Sequence, residues 1–219
     1  KLSVFLGLLA ASGIKRWYKD GHRNGRTDPQ QVRSLGFVHD PEGFSIEKID
    51  WAKAHKTHRR GTMRDYVAAF PGATWHEDAR PWAVPCDLAL PCATQNELGE
   101  DDERALIGNG CRAVAEGAIM PSTIVAVELF REAGVMFGPG KAANAGGVAV
   151  SGQEMSQNSL RQSWDAERLQ QMLRDIMGRI HERCLAYGAR ADGTVDYVKG
   201  ANIAGLRKVA DAMLAYGVV

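Results

Sequence analysis

The chain has 219 residues, of which 45% are hydrophobic and 24% are charged, and its net charge is +1. This length allows one large domain or two small ones, and the composition is typical of a globular protein. A net charge so close to zero excludes a general electrostatic attraction to nucleic acid or to anionic membranes, and we expect neither as a partner.

Residues 1–35 differ from the rest of the chain in their sequence pattern, because an apolar segment is followed by a basic segment without periodicity. Residues 1–16, KLSVFLGLLAASGIKR, superficially resemble a secretory signal, but they lack an initiator methionine. Their apolar segment is shorter than the ~20 residues of a membrane-spanning helix, which favours a buried helix or strand. Residues 21–33 are basic without periodicity, which predicts a loop or disorder.

A turn and two helices are predicted after residue 36. Asp40-Pro41-Glu42-Gly43 is a turn motif, and Ser45 is placed to begin a helix. A second helix is predicted over residues 62–69.

Short apolar segments alternate with helices in the middle of the chain. The segments cover 87–90, 112–115 and 135–137, and the helices cover 100–107 and 122–133, with Ser122 as the cap of the second helix. This alternation predicts parallel βαβ units and therefore an α/β fold.

The residues that follow the three predicted strands are small, polar, or prolines that kink the backbone. They are Pro91-Cys92-Ala93-Thr94, Glu116-Gly117-Ala118 and Gly138-Pro139-Gly140-Lys141. Parallel sheets bind ligands beyond the carboxyl ends of their strands, and backbone approaches a ligand closely only where side chains are small. The pattern therefore predicts a ligand crevice at this edge.

The last third of the chain is predicted to be helical. A helical stretch covers residues 146–164, and a long amphipathic helix begins at Asp165 and ends at Gly188. A final helix is predicted over 201–215, and the residues expected to face inward are Ile203, Leu206, Val209, Ala210 and Met213.

Asn144 and Ser151 are candidate binding residues because they lie beside the predicted crevice. An asparagine amide both donates and accepts hydrogen bonds, which suits a carboxamide such as nicotinamide. A serine hydroxyl near a helix N-terminus suits a substrate carboxylate. Helix capping is the alternative for both residues, since it is their commonest role.

Other polar residues favour structural interpretations. A metal pair at His55 and His58, a nucleic-acid surface at 53–64 and a nucleophile at Cys92 each lack supporting neighbours in the sequence. Lys141 follows a predicted strand, where a phosphate contact and an ordinary surface position are equally compatible with the sequence. His181 is expected on a solvated helix edge. The four cysteines form no C-x-x-C pair, which favours reduced, buried or half-buried thiols in a cytoplasmic protein.

Four segments resemble the hexameric NADP-type glutamate dehydrogenases of the Glu/Leu/Phe/Val dehydrogenase family. They are ALPCATQNEL, AVAEGAIMPST, KAANAGGVAVSGQEMSQNS and YVKGANIAGLRKVADAML, and they occur in the family's order. The resemblance covers about residues 36–219. It implies reversible oxidative deamination of L-glutamate to 2-oxoglutarate and ammonia with NADP, NAD being less expected, in a homo-hexamer.

The resemblance also implies roles for individual residues. Asn144 would contact the nicotinamide end of the cofactor, and Ala93 and Thr94 would line the dinucleotide crevice. Val148 would pack on the glutamate side chain, and Ser151 would hold its distal carboxylate. The C-terminal helices would cross back to the substrate domain and form a hinge.

Three departures from the family pattern limit these expectations. Ile119 stands where the motif E-G-A-N-x-P has its asparagine, and residues 1–35 show no G-x-G-x-x-A-type turn. The substrate domain, with its lysine-rich pocket and catalytic aspartate, is absent, so we expect no catalytic residue here. Residues 1–35 are interpreted as neighbouring DNA read in the wrong frame or as a divergent extension.

The fold class is thus α/β, an incomplete Rossmann-like parallel sheet with flanking helices and a C-terminal helical segment. The expected divisions are 1–35, an atypical segment; 36–145, a partial dinucleotide-binding domain; and 146–219, helices that pack on the substrate domain. Two alternatives to a dehydrogenase stay open: an inactive fragment that docks onto intact subunits, and a nucleic-acid-binding module that uses residues 53–64.

Overall fold

A computed structural model of the chain describes residues 36–59 and 61–217. The expectations for residues 1–35 lie outside these ranges. The described residues form two compact units, 36–84 and 85–217. The division expected between residues 145 and 146 stays a prediction.

The first unit, residues 36–84, is a small α+β arrangement. Its elements are β1 (Gly36–His39), α1 (Ile46–His58), a 3₁₀ turn (Met63–Asp65), α2 (Tyr66–Ala69), β2 (Thr74–Glu77) and a second 3₁₀ turn (Pro81–Ala83). β1 and β2 are antiparallel, with Gly36 opposite Glu77 and His39 opposite Thr74. The Ser45 hydroxyl caps α1 by accepting a hydrogen bond from the Lys48 amide at 3.3 Å, which confirms the predicted start.

A buried carboxylate organises the core of this unit. Asp40 Oδ2 accepts hydrogen bonds from the Tyr66 hydroxyl at 2.9 Å and from Lys48 Nζ at 2.8 Å. The Lys48 ammonium holds the pKa of Asp40 below its usual value, although burial acts in the opposite direction. The rings of Trp51 and Phe70 meet edge-on at 5.5 Å beside this pair.

The second unit contains the predicted parallel sheet. Its strands are β3 (Leu88–Ala89), β4 (Ala113–Ala115) and β5 (Met136–Gly138), in the order β3-β4-β5. The helices α3 (Glu100–Gly108) and α4 (Ile124–Glu132) connect successive strands. The α/β prediction is therefore confirmed, although β3 and β4 are shorter than their apolar segments and β5 is shifted by one residue from its segment.

The beginning of α4 differs from the prediction by one residue. Thr123, not Ser122, caps the helix, because its hydroxyl accepts a hydrogen bond from the Ala126 amide at 3.3 Å. Ser122 is instead buried in an isolated bridge with Leu98. α3 and α4 stop where Gly110 and Gly134 adopt positive φ values of 80° and 72°, as expected for glycines after a helix.

Four helices follow the sheet. They are α5 (Gly140–Ala143), α6 (Ala145–Leu160), α7 (Ala166–Gly188) and α8 (Tyr197–Ala215). The Asp165 carboxylate caps α7 through the Arg168 amide at 2.7 Å, as predicted. α8 begins four residues earlier than predicted, because Asp196 caps it through the Lys199 amide at 3.0 Å. None of the helices in the described ranges is long and apolar enough to span a membrane.

α7 and α8 approach each other closely at their connected ends. A Cβ atom on Gly188 would overlap the Asp196 carbonyl oxygen, and one on Gly200 would overlap the Cys184 carbonyl oxygen. The side chains of Leu206, Val209 and Met213 are exposed, so their predicted inward orientation is wrong for the described residues. Small residues, rather than this apolar stripe, carry the packing between the helices.

Candidate functional site

The loops that follow β3 and β4 form a continuous edge at the carboxyl end of the sheet. The Pro91 carbonyl oxygen accepts hydrogen bonds from the amides of Gly117 at 2.9 Å and Ala118 at 3.1 Å. Farther along, the Leu98 amide donates to the Pro121 carbonyl oxygen at 3.0 Å. The two loops are thus held together by backbone bonds over their whole length.

Glu116 connects this edge to the helices that follow β5. Its side chain is buried, with the residue 5% exposed. Oε1 accepts a hydrogen bond from the Ser122 amide at 3.1 Å, and Oε2 accepts one from the Gly140 amide at 2.5 Å. Each carboxylate oxygen therefore has a backbone donor, which offsets the cost of burying the charge.

In the sequence, Glu116 was recognised only as the residue that ends a predicted strand. Its role as acceptor for two backbone N–H groups was not predicted. The usable signal was an acidic residue directly after an apolar strand and directly before a glycine. An acid in such a place is either solvated or fully hydrogen-bonded, and only the fold distinguishes these cases.

Two glycines make the close approach of the strand ends sterically feasible. A Cβ atom on Gly140 would lie 2.8 Å from the Ala118 carbonyl oxygen and 3.1 Å from Glu116 Oε2. A Cβ atom on Gly117 would overlap the buried sulfur of Cys92. Larger side chains at these two positions would therefore clash with the neighbouring loop. Small residues at this edge fit a ligand that the backbone must approach closely, as it approaches a dinucleotide.

Asn144 is buried where α5 ends and α6 begins. Its backbone N–H donates to the Gly140 carbonyl oxygen at 2.8 Å, whereas its side chain makes no capping hydrogen bond to α6. The capping alternative is therefore wrong for Asn144. Through Gly140, Asn144 is linked to the loop that Glu116 holds.

Val148 and Ser151 follow Asn144 at four and seven residues along α6, so all three lie on one helix face. Val148 is 77% exposed. Ser151 lies in the second turn and its hydroxyl donates to the Gly147 carbonyl oxygen at 3.2 Å, so it is not a helix cap either. To bind a carboxylate, this hydroxyl would have to exchange that internal bond for the ligand.

Ala93 and Thr94 lie on the other side of the edge, in the loop after β3. Both are half-buried, and the Ala93 amide donates to Glu97 Oε1 at 3.0 Å. Because β4 lies between β3 and β5, these residues are about two strand spacings, roughly 10 Å, from the end of β5. The fold thus places Asn144, Val148 and Ser151 at and along α6, after β5, and places Ala93 and Thr94 in the loop after β3.

Ile119 occupies the tip of the loop that Glu116 holds. It is 78% exposed, and the next residue, Met120, has a positive φ of 53°. An exposed, branched apolar side chain at this position offers no hydrogen bond to a polar ligand.

The remaining candidates have structural partners. His55 Nε2 lies 2.9 Å from Asp65 Oδ2, and Lys141 Nζ donates to Asn202 Oδ1 at 2.5 Å, which links α5 to α8. His181 is half-buried and stacks on Tyr197 at 5.7 Å, so the expected solvated edge is wrong, and burial lowers its pKa. Within residues 36–59 and 61–217 there is no group of three or more His, Cys, Asp or Glu side chains suited to a metal ion.

Comparison with known proteins identifies the family to which this arrangement belongs. The sequence profile of the Glutamate/Leucine/Phenylalanine/Valine dehydrogenases matches residues 31–217. An NADP-specific glutamate dehydrogenase of Salmonella typhimurium is 56% identical over 186 residues, which are 85% of this chain and 41% of that protein. A glutamate dehydrogenase of Bacteroides thetaiotaomicron is 53% identical over 186 residues, which are 85% of this chain and 42% of that protein.

Solved structures give the same result. The structure of Plasmodium falciparum glutamate dehydrogenase 2 matches with a TM-score of 0.79 and 41% identity, over 85% of this chain and 41% of that one. The chain thus spans about two fifths of the length of the relatives that it matches. A profile match over most of the chain and identities above 50% show that the chain belongs to the Glutamate/Leucine/Phenylalanine/Valine dehydrogenase family.

Proposed function

We propose that the chain is the C-terminal part of a glutamate dehydrogenase and that its crevice binds the dinucleotide cofactor. The observation that carries this proposal is the edge organised by Glu116, which joins the end of β4 to the start of α5 in a chain 56% identical to an NADP-specific relative. The reaction would be the reversible conversion of L-glutamate to 2-oxoglutarate and ammonia, and the bound cofactor would supply the hydride acceptor.

The residues of this chain would bind and orient the cofactor and the substrate. The side-chain amide of Asn144 would contact the nicotinamide end of the cofactor. Ala93 and Thr94 would line the other side of the dinucleotide crevice. Val148 would pack on the glutamate side chain, and the Ser151 hydroxyl would donate to its distal carboxylate. The shared helix face of Asn144, Val148 and Ser151 supports this division, because it orders cofactor and substrate along one surface.

The nucleotide is proposed to be NADP. The NADP-specific relative of Salmonella typhimurium supports this choice, whereas an NAD-specific glutamate dehydrogenase of Bacteroides fragilis is 47% identical over 184 residues. Both nucleotides therefore belong in any binding experiment.

The catalytic groups would come from the part of the relatives that this chain does not span. A lysine to polarise the carbonyl and an aspartate for proton transfer are required by the proposed reaction, and we assign neither role to residues 36–217. The proposed assembly of the complete enzyme is a homo-hexamer.

Nucleotide binding by the 219-residue chain tests this proposal. NADPH and NADH fluorescence would be titrated with the wild type, Asn144→Ala and the control Asn158→Ala, an exposed asparagine on the same helix. Saturable NADPH binding that only Asn144→Ala weakens, by about 10-fold, is expected from the loss of one good hydrogen bond. Equal affinities for the three proteins, or no binding, would contradict it.

A second candidate function is docking onto intact dehydrogenase subunits without catalysis. The exposed apolar side chains of Leu206, Val209 and Met213 favour it, because a stripe of this kind on a helix is a surface for association. Co-expression with the tagged relative of Salmonella typhimurium would test this. Co-elution that Val209→Asp abolishes, with no nucleotide binding by the chain alone, would support docking over cofactor binding.

A further inference from the structure

Two cysteines, Cys86 and Cys111, each lie two residues before the start of neighbouring parallel strands. In the parallel pair of β3 and β4, Leu88 is opposite Ala113 and Ala89 is opposite Val114. If the same offset is continued two residues before the first pair, Cys86 falls opposite Cys111. The Asp87 carbonyl oxygen accepts hydrogen bonds from the amides of Arg112 at 2.9 Å and Ala113 at 3.1 Å, so the strands are already joined at this point.

The side chains of Cys86 and Cys111 are close enough to influence each other electrostatically. Cys111 is buried, and its sulfur lies 3.3 Å from the Ala113 carbonyl oxygen, while Cys86 is half-buried. Burial raises the pKa of Cys86 to about 11, and the neighbouring Cys111 and Asp87 act in the same direction. The Cys86 thiol is therefore protonated near neutral pH, and the pair stays reduced until an oxidant reaches it.

The backbone separation suits a covalent link. Adjacent strands lie about 4.8 Å apart, and the Cα atoms of disulfide-bonded cysteines lie about 4.4–6.8 Å apart. The other two cysteines are placed differently: Cys92 follows the carboxyl end of β3 against Gly117, and Cys184 is buried in α7 against Gly200.

We propose that Cys86 and Cys111 form a reversible disulfide when the chain meets an oxidising small disulfide such as oxidised glutathione. Cys86, the more exposed of the two residues, loses its proton and attacks one glutathione sulfur as the thiolate, which breaks the glutathione disulfide; the released glutathione thiolate takes up the proton. Cys111 then loses its proton and attacks the Cys86 sulfur, which forms the Cys86–Cys111 bond and releases the second glutathione. Two electrons and two protons pass from the cysteines to one oxidised glutathione.

The disulfide would fasten β3 to β4 at the end of the strands opposite the crevice. It closes the chain segment from Cys86 to Cys111, and therefore restricts the unfolded chain more than the folded one. The crevice edge is held separately by Pro91 with Gly117 and by Glu116 with Gly140. We therefore expect higher stability without a change in the crevice.

Peptide mapping of the 219-residue chain tests the assignment without any substitution. The chain would be incubated natively with oxidised glutathione, alkylated and digested under non-reducing conditions. The expected product is one linked pair of peptides containing Cys86 and Cys111, lighter by the mass of two hydrogen atoms and separated by dithiothreitol. Alkylation of both residues, glutathione on either one as the final product, or a link to Cys92 or Cys184 would overturn the proposal.

Thermal unfolding provides the second readout. Oxidation is expected to raise the unfolding midpoint by about 5–10 °C in the wild type and in the control Cys184→Ser. The variants Cys86→Ser and Cys111→Ser are expected to lose this increase. An equal increase in all four proteins would also contradict the proposal.

Discussion

The carboxylate of Glu116 accepts a hydrogen bond from the Gly140 amide at 2.5 Å and so joins the end of β4 to the helices that follow β5. Its other oxygen accepts from the Ser122 amide at 3.1 Å, so one buried side chain fixes both ends of the loop that carries Ile119. The geometry of the candidate crevice thus depends on a residue that we do not expect to contact substrate.

Replacing Glu116 by Gln should destabilise the chain and distort the crevice. An amide offers one oxygen where the carboxylate offers two, so one backbone N–H group would face an NH₂ group and lose its partner. The expected loss in the free energy of unfolding is ~1–3 kcal/mol, measured by urea denaturation. Glu154→Gln, at an exposed position on α6, is the control, and losses of equal size in both variants would count against this role.

Glu103 should make stability decrease as the pH rises. Its carboxylate is buried on α3 without a hydrogen-bond partner among the described residues. Burial raises the pKa of Glu103 to about 7. The positive charge of Arg104 opposes this increase, whereas the negative charges of Glu100 on α3 and Glu132 on α4 add to it. The folded state therefore binds the proton more tightly, so this contribution is fully present below the ordinary glutamate pKa of 4.5 and is lost as the pH rises through about 7.

Glu103→Leu should remove that pH dependence. At about pH 8 the variant should exceed the wild type in free energy of unfolding by ~1–3 kcal/mol, and the difference should shrink at about pH 5. Urea unfolding at the two pH values measures this, with Glu154→Leu as the exposed control. A constant difference between wild type and Glu103→Leu would show that ionisation of Glu103 is not the cause.

Asp196 should contribute stability that is lost only in strong acid. Its Oδ2 accepts from the guanidinium groups of Arg131 at 2.7 Å and Arg190 at 2.9 Å, and its Oδ1 accepts from the Lys199 amide. Burial alone would raise the pKa of Asp196, but these three donors outweigh it and lower the pKa to about 2. The contribution is present above the ordinary pKa of 3.8 and disappears as the pH falls through about 2.

Asp196→Asn should therefore destabilise the junction of α4 with α8 at neutral pH. Asp196 is buried, but the side chains of Arg131 and Arg190 are 30% and 45% exposed, so solvent screening limits the expected loss to ~1–3 kcal/mol, measured by urea unfolding at about pH 7. Asp175→Asn, on an exposed part of α7, is the control and should change little. If both variants unfold at the same urea concentration as the wild type, the cluster contributes nothing measurable.

Ile119→Asn should strengthen NADPH binding if the proposed function is correct. An amide at this exposed loop position can bond to a polar cofactor group, whereas the isoleucine leaves that group without a protein partner. A gain of ~1–3 kcal/mol corresponds to roughly 5–150-fold in affinity, measured by fluorescence titration. Ile46→Asn is the matched control, since Ile46 is 79% exposed and lies outside the crevice. Weaker or unchanged binding by Ile119→Asn would contradict the assigned position.

The sequence predicted those features that local chemistry determines. Asp165 was correctly predicted to begin α7, and the alternation of strands and helices correctly predicted the parallel sheet. The cap of α4 was misassigned because Ser122 and Thr123 are chemically equivalent caps, and only the bridge between Leu98 and Ser122 decides between them.

Features that depend on distant contacts escaped prediction. The pairing of β1 with β2 joins segments that are separated by α1 and α2, and neither segment alone has a distinctive pattern. The apolar stripe of α8 has inward-facing periodicity, yet Gly188 and Gly200 determine how that helix packs on α7. The role of Glu116 likewise requires Gly140, which lies on a different strand connection.

Hydrogen–deuterium exchange of the 219-residue chain with and without NADPH tests the central claim most directly, because it locates the bound nucleotide on the fold. We predict that NADPH slows exchange of backbone amides in residues 91–98, 116–123 and 139–151 and leaves α1 unchanged. Protection confined to other segments, or no protection at saturating NADPH, would contradict the assignment of the crevice to the cofactor.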